Sequence, residues 1–282
     1  MHKAYFLGLL SMMLWACAGA PAALQPSPSL IIQSTPSQTP TARITRSPTG
    51  TLEENSPQPS PTPGPWLCSP LEGYTQADLA AAISNPFHPP AKEGSDDPHQ
   101  AIDLAVTQNG LAIAGDPVHA ILPGYVAAVI VDRFPYGNAI MVETPLKGLP
   151  GEWLDQQRFP TPAPTLPPHP ALTCPQVDLG LHLNNESRSL YLLYAHMQTP
   201  TDYQLGDTLN CGARLGYIGQ SGNALNPHVH IEVRLGPGGA RFQGLAHYET
   251  RASPAEMSAY CTWRVSGIFQ LIDPMRLLAV LP

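Results

Sequence analysis

The sequence predicts a mainly β fold: an antiparallel sheet assembly, either a β-sandwich or an open barrel-like arrangement, with a few peripheral helices. Apolar segments rich in β-branched residues recur between residues 102 and 233, and turn signals such as Pro123-Gly124 and Tyr136-Gly137-Asn138 separate them. In chain order these segments are IDLAV from Ile102, PVHAIL from Pro117, YVAAVIV from Tyr125, NAIMVE from Asn138, SLYLLYAH from Ser189, RLGYIG from Arg214 and HVHIEV from His228.

Helices are predicted at the two ends of this β-rich region. The segments TQADLAAAI from Thr75 and SPAEMSAYC from Ser253 have helical patterns, and DPMRLLAVL from Asp273 indicates a third helix. Thr75 and Ser253 are suitable N-caps, because a hydroxyl oxygen can accept from the free backbone N–H groups of the first turn. Pro254 suits the first helical position, where its missing N–H is not needed.

The first 17 residues have the layout of an export signal. Lys3 gives a positive start, and an apolar run to Ala16 follows that is shorter than the roughly 20 residues needed to cross a bilayer. The motif LWAC, which ends at Cys17, resembles a bacterial lipobox, in which the cysteine is lipidated. A cleavage site within AGA at residues 18–20 is the alternative. We therefore expect a cell-surface lipoprotein or, without lipidation of Cys17, a secreted protein.

Composition divides the rest of the chain into a tether and a folded domain. Residues 18–65 are rich in Pro, Ser and Thr and poor in aromatic residues, so this segment cannot bury enough apolar surface to fold and is expected to be an extended tether. The domain is predicted at residues 66–282. A second Pro-rich stretch predicts an inserted loop at about residues 146–175.

Charge and cysteine content narrow the function classes. The chain has 14 Lys and Arg against 21 Asp and Glu, without a basic cluster, which argues against nucleic-acid binding. If Cys17 carries lipid, the other four cysteines allow two disulfides in an oxidising compartment, with three connectivities.

The segment GNALNPHVHIEV places two histidines, His228 and His230, on one face of a predicted strand, about 6.6 Å apart at Cα. Buried imidazoles need partners, so this face is expected to line a metal site, a catalytic cleft or water. The segment HQAID adds His99 and Asp103. A straight strand would separate these two residues by about 13 Å, so the chain is expected to bend or to be helical between them if both bind one ion.

The motifs HQAID, GDPVHA, YGNAIMVE, LYAHM and GNALNPHVHIEV occur in this order between residues 97 and 234. This set resembles the lysostaphin-type zinc metallopeptidases, which cut peptide bonds in bacterial peptidoglycan. The resemblance covers about half of the chain. It implies one Zn²⁺ per chain, bound by His99, Asp103 and His230, and a catalytic role for His196 and His228.

The chemistry of this family explains the residue types. Catalytic zinc takes three protein ligands from His, Asp or Glu and leaves one position for water, whose pKa falls to near 7. His196 and His228 would transfer a proton or stabilise the oxyanion. Glu232 lies on the face of His230 in a regular strand and is expected to orient a ligand imidazole.

One position departs from the family pattern. The glycine of the first motif is Ala101 here, where the chain has to bend. A positive φ at this position would make alanine cost about 1 kcal/mol or more, whereas a negative φ would make it harmless. The complete ligand set favours the negative φ.

The resemblance implies a zinc-dependent endopeptidase that hydrolyses peptide bonds in cell-wall peptidoglycan. Its partners would be the stem or cross-bridge peptides, and the membrane through the lipid anchor if Cys17 is modified. Two alternatives remain: a non-catalytic cell-wall binding or regulatory protein on the same fold, and a zinc peptidase of exported proteins.

The position of the cysteines along the chain leads to one expected pairing. Cys174 ends the Pro-rich loop and Cys211 lies in the turn before Arg214, so both flank the strand that carries His196. We therefore expect a Cys174–Cys211 bridge, which leaves Cys68 and Cys261 as the second pair.

Overall fold

The fold is taken from a computed structural model that describes residues 65–161, 165–181 and 183–281. The predicted export signal, the proposed lipidation site Cys17 and almost all of the predicted tether lie outside these ranges. None of the helices in the described ranges is long and apolar enough to span a membrane.

Twelve strands are present in the described residues, and all seven predicted strand segments are among them. The strands are β1 (Ile83–Asn85), β2 (Ile102–Leu104), β3 (Thr107–Gln108), β4 (Leu111–Ala112), β5 (Pro117–His119), β6 (Gly124–Arg133), β7 (Gly137–Pro145), β8 (Asn184–Met197), β9 (Thr208–Leu209), β10 (Arg214–Tyr217), β11 (Val229–Gly238) and β12 (Gln270–Ile272). The unpredicted strands β1, β3, β4, β9 and β12 have three residues or fewer, too short for a recognisable alternation.

An eight-stranded sheet is the centre of the fold. Its strands follow the order β1-β2-β11-β8-β7-β6-β9, and β12 pairs with β11. All of these pairs are antiparallel. Two further pairs, β5 with β10 and β3 with β4, lie outside this sheet. The prediction of a mainly β, antiparallel fold is confirmed, and the sheet is not closed into a barrel.

Both faces of the sheet are buried, because alternate residues of its central strands belong to two different apolar clusters. On β8, Leu190, Leu192 and Tyr194 pack in the first cluster. Tyr191 and Leu193 pack in the second, together with aromatic residues from the C-terminal part of the chain. On β11, Val229, Ile231 and Val233 join the first cluster. The residues between them therefore point to the face of the second cluster.

The described part of the chain has four α-helices around the sheet: α1 (Gln76–Ala82), α2 (Gly151–Gln156), α3 (Pro254–Arg264) and α4 (Pro274–Leu278). Both predicted N-caps are confirmed. The hydroxyl of Thr75 accepts from the Asp78 backbone N–H, and that of Ser253 accepts from the Glu256 N–H, each within a reciprocal capping box. Tyr260 and Trp263 attach α3 to the second cluster.

The segment predicted as a Pro-rich loop begins with regular structure. A 3-10 helix spans Leu146–Gly148, and α2 follows it. Two backbone hydrogen bonds attach its later part to the domain: Leu166 N–H to the Ser266 carbonyl at 2.6 Å, and His169 N–H to the Gly94 carbonyl at 2.7 Å.

The expected disulfide pairing is wrong. The bridges are Cys68–Cys211 and Cys174–Cys261. The chain before α1 runs along the segment after β5, where the Cys68 N–H donates to Ile121 O at 2.9 Å, and the Cys211 turn lies beside the same carbonyl. The end of the Pro-rich stretch crosses to α3, which carries Cys261, instead of to the turn that carries Cys211.

We expect peptide mapping without reduction to recover the Cys68–Cys211 and Cys174–Cys261 peptides. Replacing both members of the second pair by serine should lower the free energy of unfolding by about 2 to 5 kcal/mol, because its long closed loop constrains the unfolded chain. Urea unfolding of this variant, beside the intact protein, measures the change. Recovery of a Cys174–Cys211 peptide would contradict the assignment.

Candidate metal centre

Three side chains that could bind a metal meet where β2 and β11 pair. Asp103 on β2 stands directly opposite His230 on β11. Both point to the face of the sheet that α3 covers. His99 precedes β2, and the chain bends at Ala101 to bring its ring back to Asp103. Non-glycine residues with positive φ in the described chain are Asn109, Asp132, His196 and Tyr248, so the Ala101 bend uses a negative φ and alanine is tolerated there.

The three side chains converge closely. His99 Nε2 lies 2.9 Å from Asp103 Oδ1, and His230 Nδ1 lies 2.9 Å from the same oxygen. The two imidazole nitrogens are 3.1 Å apart. These three ligand atoms lie within 4.8 Å of one another. The second Asp103 oxygen accepts from the Asn85 amide at 3.2 Å, which fixes the orientation of the carboxylate.

Hydrogen bonds on the far side of each ring set which nitrogen faces the centre. The Pro86 carbonyl lies 3.1 Å from His99 Nδ1, and because a carbonyl can only accept, Nδ1 carries the proton. The Glu232 carboxylate, which also can only accept, lies 3.3 Å from His230 Nε2, so Nε2 carries the proton of this ring. In the neutral rings, the centre-facing atoms His99 Nε2 and His230 Nδ1 are therefore unprotonated.

This donor set fits a divalent metal. Two bare imidazole nitrogens and a carboxylate oxygen face one another, and three acceptors with no donor between them repel unless a cation joins them. Two imidazoles and one carboxylate are a ligand set typical of catalytic zinc. Acceptors that hold the outer nitrogen of each ligand histidine are also typical of such sites.

Two more imidazoles, those of His196 and His228, lie beside this triad. His228 Nε2 lies 3.6 Å from Asp103 Oδ1, and the His196 ring centre lies 4.8 Å from that of His228 and 5.3 Å from that of His230. Carbonyl groups hold their outer nitrogens: Ser221 O is 2.8 Å from His196 Nδ1, and Asn226 O is 2.7 Å from His228 Nδ1. Both rings are thus fixed in one orientation.

A β-bulge places His196 at the site. Strand β7 pairs Asn138 with Met197 and Ile140 with Tyr194, so two residues of β8 stand opposite one residue of β7. His196 has a φ of 64°, in the left-handed region. In a regular strand, position 196 would point to the face of Tyr194. The bulge turns the imidazole to the face of His230 instead.

Burial and neighbouring groups shift three pKa values at the centre. Burial opposes protonation of His230, but the nearby carboxylates of Asp103 and Glu232 raise the pKa of this ring above its usual value. Burial opposes ionisation of Asp103, but the neighbouring His230 and His99 rings hold the pKa of this carboxyl well below its usual range. Burial, with the neighbouring His230 and His228, lowers the pKa of His196 to about 3. Asp103 is therefore ionised and His196 neutral at neutral pH.

Glu232, which the sequence predicts as a support for a ligand imidazole, is fully buried and contacts His230. The donors to its two oxygens are Trp263 Nε1 at 2.8 Å, Tyr136 OH at 3.0 Å, Arg234 Nε at 3.3 Å, His230 Nε2 at 3.3 Å and the Arg264 guanidinium. Although burial opposes ionisation, the Arg264 charge holds the pKa of Glu232 well below its usual range.

Sequence reasoning missed Arg234, two residues along β11 from Glu232, and three more distant partners: Tyr136, Trp263 and Arg264. Tyr136 lies in a turn before β7, and Trp263 and Arg264 end α3. The local sequence predicts only a turn at Tyr136 and a helix just before Trp263 and Arg264. Neither prediction indicates what these side chains contact.

The centre opens into a cleft of about 910 Å³. His99, Asp103, His196, His228 and His230 all line it. The structure therefore brings together, in one cleft, every residue that the sequence predicts for metal binding and catalysis.

No protein-family model matches this sequence, and no curated protein matches it. Solved structures do match. The catalytic domain of the antimicrobial peptidase lysostaphin from Staphylococcus simulans is 14% identical, with 73% of this chain and 98% of that chain covered and a TM-score of 0.37.

Two further matches are M23 proteins. The catalytic domain of the prophage-encoded M23 protein EnpA from Enterococcus faecalis is 19% identical, covers 61% of this chain and 92% of its own, and has a TM-score of 0.32. A putative M23 peptidase from Pseudomonas aeruginosa is 22% identical, with 74% and 55% covered and a TM-score of 0.32. The printed descriptions of all three matched proteins are of peptidases or of M23 proteins.

Proposed function

We propose that this chain is a zinc-dependent endopeptidase that hydrolyses peptide bonds in bacterial cell-wall peptidoglycan. The observation that carries the proposal is the convergence of His99 Nε2, Asp103 Oδ1 and His230 Nδ1 on one point, with each outer ring nitrogen held by an acceptor. We assign one zinc ion per chain to these three residues.

When bound, zinc would supply Lewis-acid chemistry and lower the pKa of a water molecule to near 7. The residues of the chain do the rest. His196 and His228 each hold an unprotonated Nε2 in the neutral ring, because their Nδ1 atoms donate to Ser221 O and Asn226 O. Such a nitrogen can accept a proton during attack and return it to the leaving amine. A protonated ring would stabilise the oxyanion of the tetrahedral intermediate.

Glu232 has a positioning role in this proposal. Its carboxylate accepts from His230 Nε2 and so keeps Nδ1 free for the metal. Trp263 and Tyr136 fix the carboxylate in turn, and Arg264 balances its charge. The ligand imidazole is therefore supported by a rigid buried cluster.

Peptidoglycan as the substrate rests on the family motifs in the sequence. The two disulfides agree with an oxidising compartment outside the cytoplasm. We extend the proposal to a domain at residues 66–282, held to the cell surface through lipid on Cys17 and a tether at residues 18–65, or secreted if Cys17 is unmodified. The complete set of ligands and catalytic histidines supports an enzyme over a cell-wall binding protein.

Digestion of purified peptidoglycan tests the proposal. We expect the whole chain, loaded with zinc, to release soluble fragments whose new amino and carboxyl ends are identified by mass spectrometry. A chelator should stop the release, and added zinc should restore it. The His228→Ala chain serves as the control for contaminating hydrolases. A zinc-loaded chain that releases no new peptide ends would contradict the proposed activity.

A further inference from the structure

The cleft around the metal centre has an unusual apolar rim. Eight large hydrophobic side chains are exposed in the described residues, and the three most exposed are Leu225 at 91%, Leu111 at 73% and Tyr248 at 57%. All three line this one cleft. The other five are at most 50% exposed and lie outside it. Single exposed leucines are ordinary, but three highly exposed apolar side chains around one cleft indicate a binding role.

The chain holds Leu111 out by a tight hairpin. Strands β3 and β4 pair Gln108 with Leu111, and the turn between them is Asn109-Gly110. Both turn residues have positive φ, 52° and 77°, as a type I′ hairpin requires. Leu111 is therefore displayed from a rigid turn.

Leu225 lies at the outer end of a loop that is closed by several hydrogen bonds. The His228 N–H donates to Gly219 O at 3.1 Å and closes the base of the loop, and the Asn223 N–H donates to Pro135 O at 2.8 Å. The Gln220 amide donates to the carbonyl of Leu225 itself at 2.7 Å. The exposed side chain is thus presented by an ordered backbone.

Tyr248 completes the rim from the C-terminal part of the chain. Its backbone has a φ of 62°, which is rare for a bulky residue. Its hydroxyl donates to Asp96 at 2.7 Å, which holds the ring in place although the residue is 57% exposed. Strained, well-held backbone is common at binding sites.

The charges of the cleft exclude one kind of substrate. Asp96 and Asp97 line it, and Arg264 is the only Lys or Arg among the lining residues that the structure describes. The Arg264 guanidinium already donates to Glu232 and, at 2.6 Å, to the backbone carbonyl of Asp96. Apart from the proposed zinc, a carboxylate side chain on the substrate would find no unpaired Lys or Arg among the described residues that line the cleft.

We propose that this rim selects peptides with apolar side chains, alanine or larger, on both sides of the scissile bond, and that it disfavours glycine chains and peptides with acidic side chains at those positions. This inference rests on the proposed peptidase function. Because the backbone that presents the rim is already held in place, little backbone entropy is lost on binding, so most of the burial of each leucine contributes to affinity.

A peptide series tests the inference. Internally quenched peptides that differ only in the two residues flanking the central bond, either two glycines, two alanines, two leucines or two aspartates, are hydrolysed by the zinc-loaded chain. Burial of a leucine contributes about 1.5 to 3 kcal/mol, and each 1.4 kcal/mol is tenfold. We expect kcat/KM for the leucine peptide to exceed that for the glycine peptide by about tenfold or more, with the aspartate peptide poorest.

The double variant Leu111→Ser, Leu225→Ser should reduce this preference to about twofold or less. Val131→Ser is the matched control, since Val131 is exposed but lies outside the cleft, and it should leave the preference unchanged. Equal rates for the glycine and leucine peptides in the unchanged chain would overturn the inference while leaving the peptidase function intact.

Binding provides a second measurement that needs no turnover. Fluorescence anisotropy with the labelled, uncleaved peptides and the His228→Ala chain should give the same order of affinities. Equal affinity for the leucine and glycine peptides would refute the proposed selectivity of the rim even if no peptide were cleaved. Failure of hydrolysis with retained discrimination in binding would instead count against the proposed activity.

Discussion

His230→Ala is expected to lose most of the bound zinc and reduce peptidoglycan hydrolysis below detection. His230 supplies one of three converging ligand atoms, 2.9 Å from Asp103 and 3.1 Å from His99. Removing it leaves two ligands, too few for a catalytic zinc site. Elemental analysis of the whole chain should fall from about one zinc per chain to a small fraction of that value.

Two further variants keep this result interpretable. His230→Ala also deprives buried Glu232 of a donor and could unfold the chain, so His99→Ala, at a more exposed ligand, should show the same loss of zinc with a native circular dichroism spectrum. His119→Ala, on β5 and outside the cleft, should retain full zinc content. Full retention of zinc in both ligand variants would refute the site.

His228→Ala should keep its zinc and lose hydrolysis by about 10² to 10⁴, the range for a general acid or base. Its Nε2 lies 3.6 Å from Asp103 Oδ1, outside the close triad, while Asn226 O holds the ring in place. His196→Ala should behave alike. Because both rings act on one transition state, the double variant should be less impaired than the product of the single losses.

Zinc content measured beside kcat separates the two roles. If His228→Ala releases the metal, the centre has four protein ligands and no open position for water. A structural or regulatory site would then describe it better than a catalytic one.

Local patterns predict much of this fold. The seven strand segments alternate or run apolar over several residues, and the caps Thr75 and Ser253 depend on hydrogen bonds to residues three positions away. Such features need no knowledge of distant partners. The cysteine pairing does depend on distant partners, since Cys68 and Cys211 are 143 residues apart and Cys174 and Cys261 are 87 apart. Position along the chain relative to His196 was a poor guide to either pair.

The candidate site also combines features that the sequence predicts with features that depend on distant contacts. The triad was accessible from the sequence, because its residue types and order carry the family resemblance. The contacts of Glu232 were not, because Trp263 and Arg264 reach it only when α3 packs on the sheet. The β-bulge could not be predicted from the sequence either. Alternation in SLYLLYAH would have placed His196 on the opposite face, and a single backbone angle reverses that assignment.

That backbone angle implies a trade-off between stability and activity at His196. A non-glycine residue in the left-handed region costs roughly 1 kcal/mol, and glycine would adopt it almost freely. The strand therefore carries a residue that weakens the folded state so that an imidazole can face its partners. Alanine at this position retains the backbone penalty while removing the ring, whereas glycine removes both. Once it is corrected for the greater entropy that glycine gives the unfolded chain, the difference in unfolding free energy between these two variants measures the local loss of stability that accompanies this placement of the histidine.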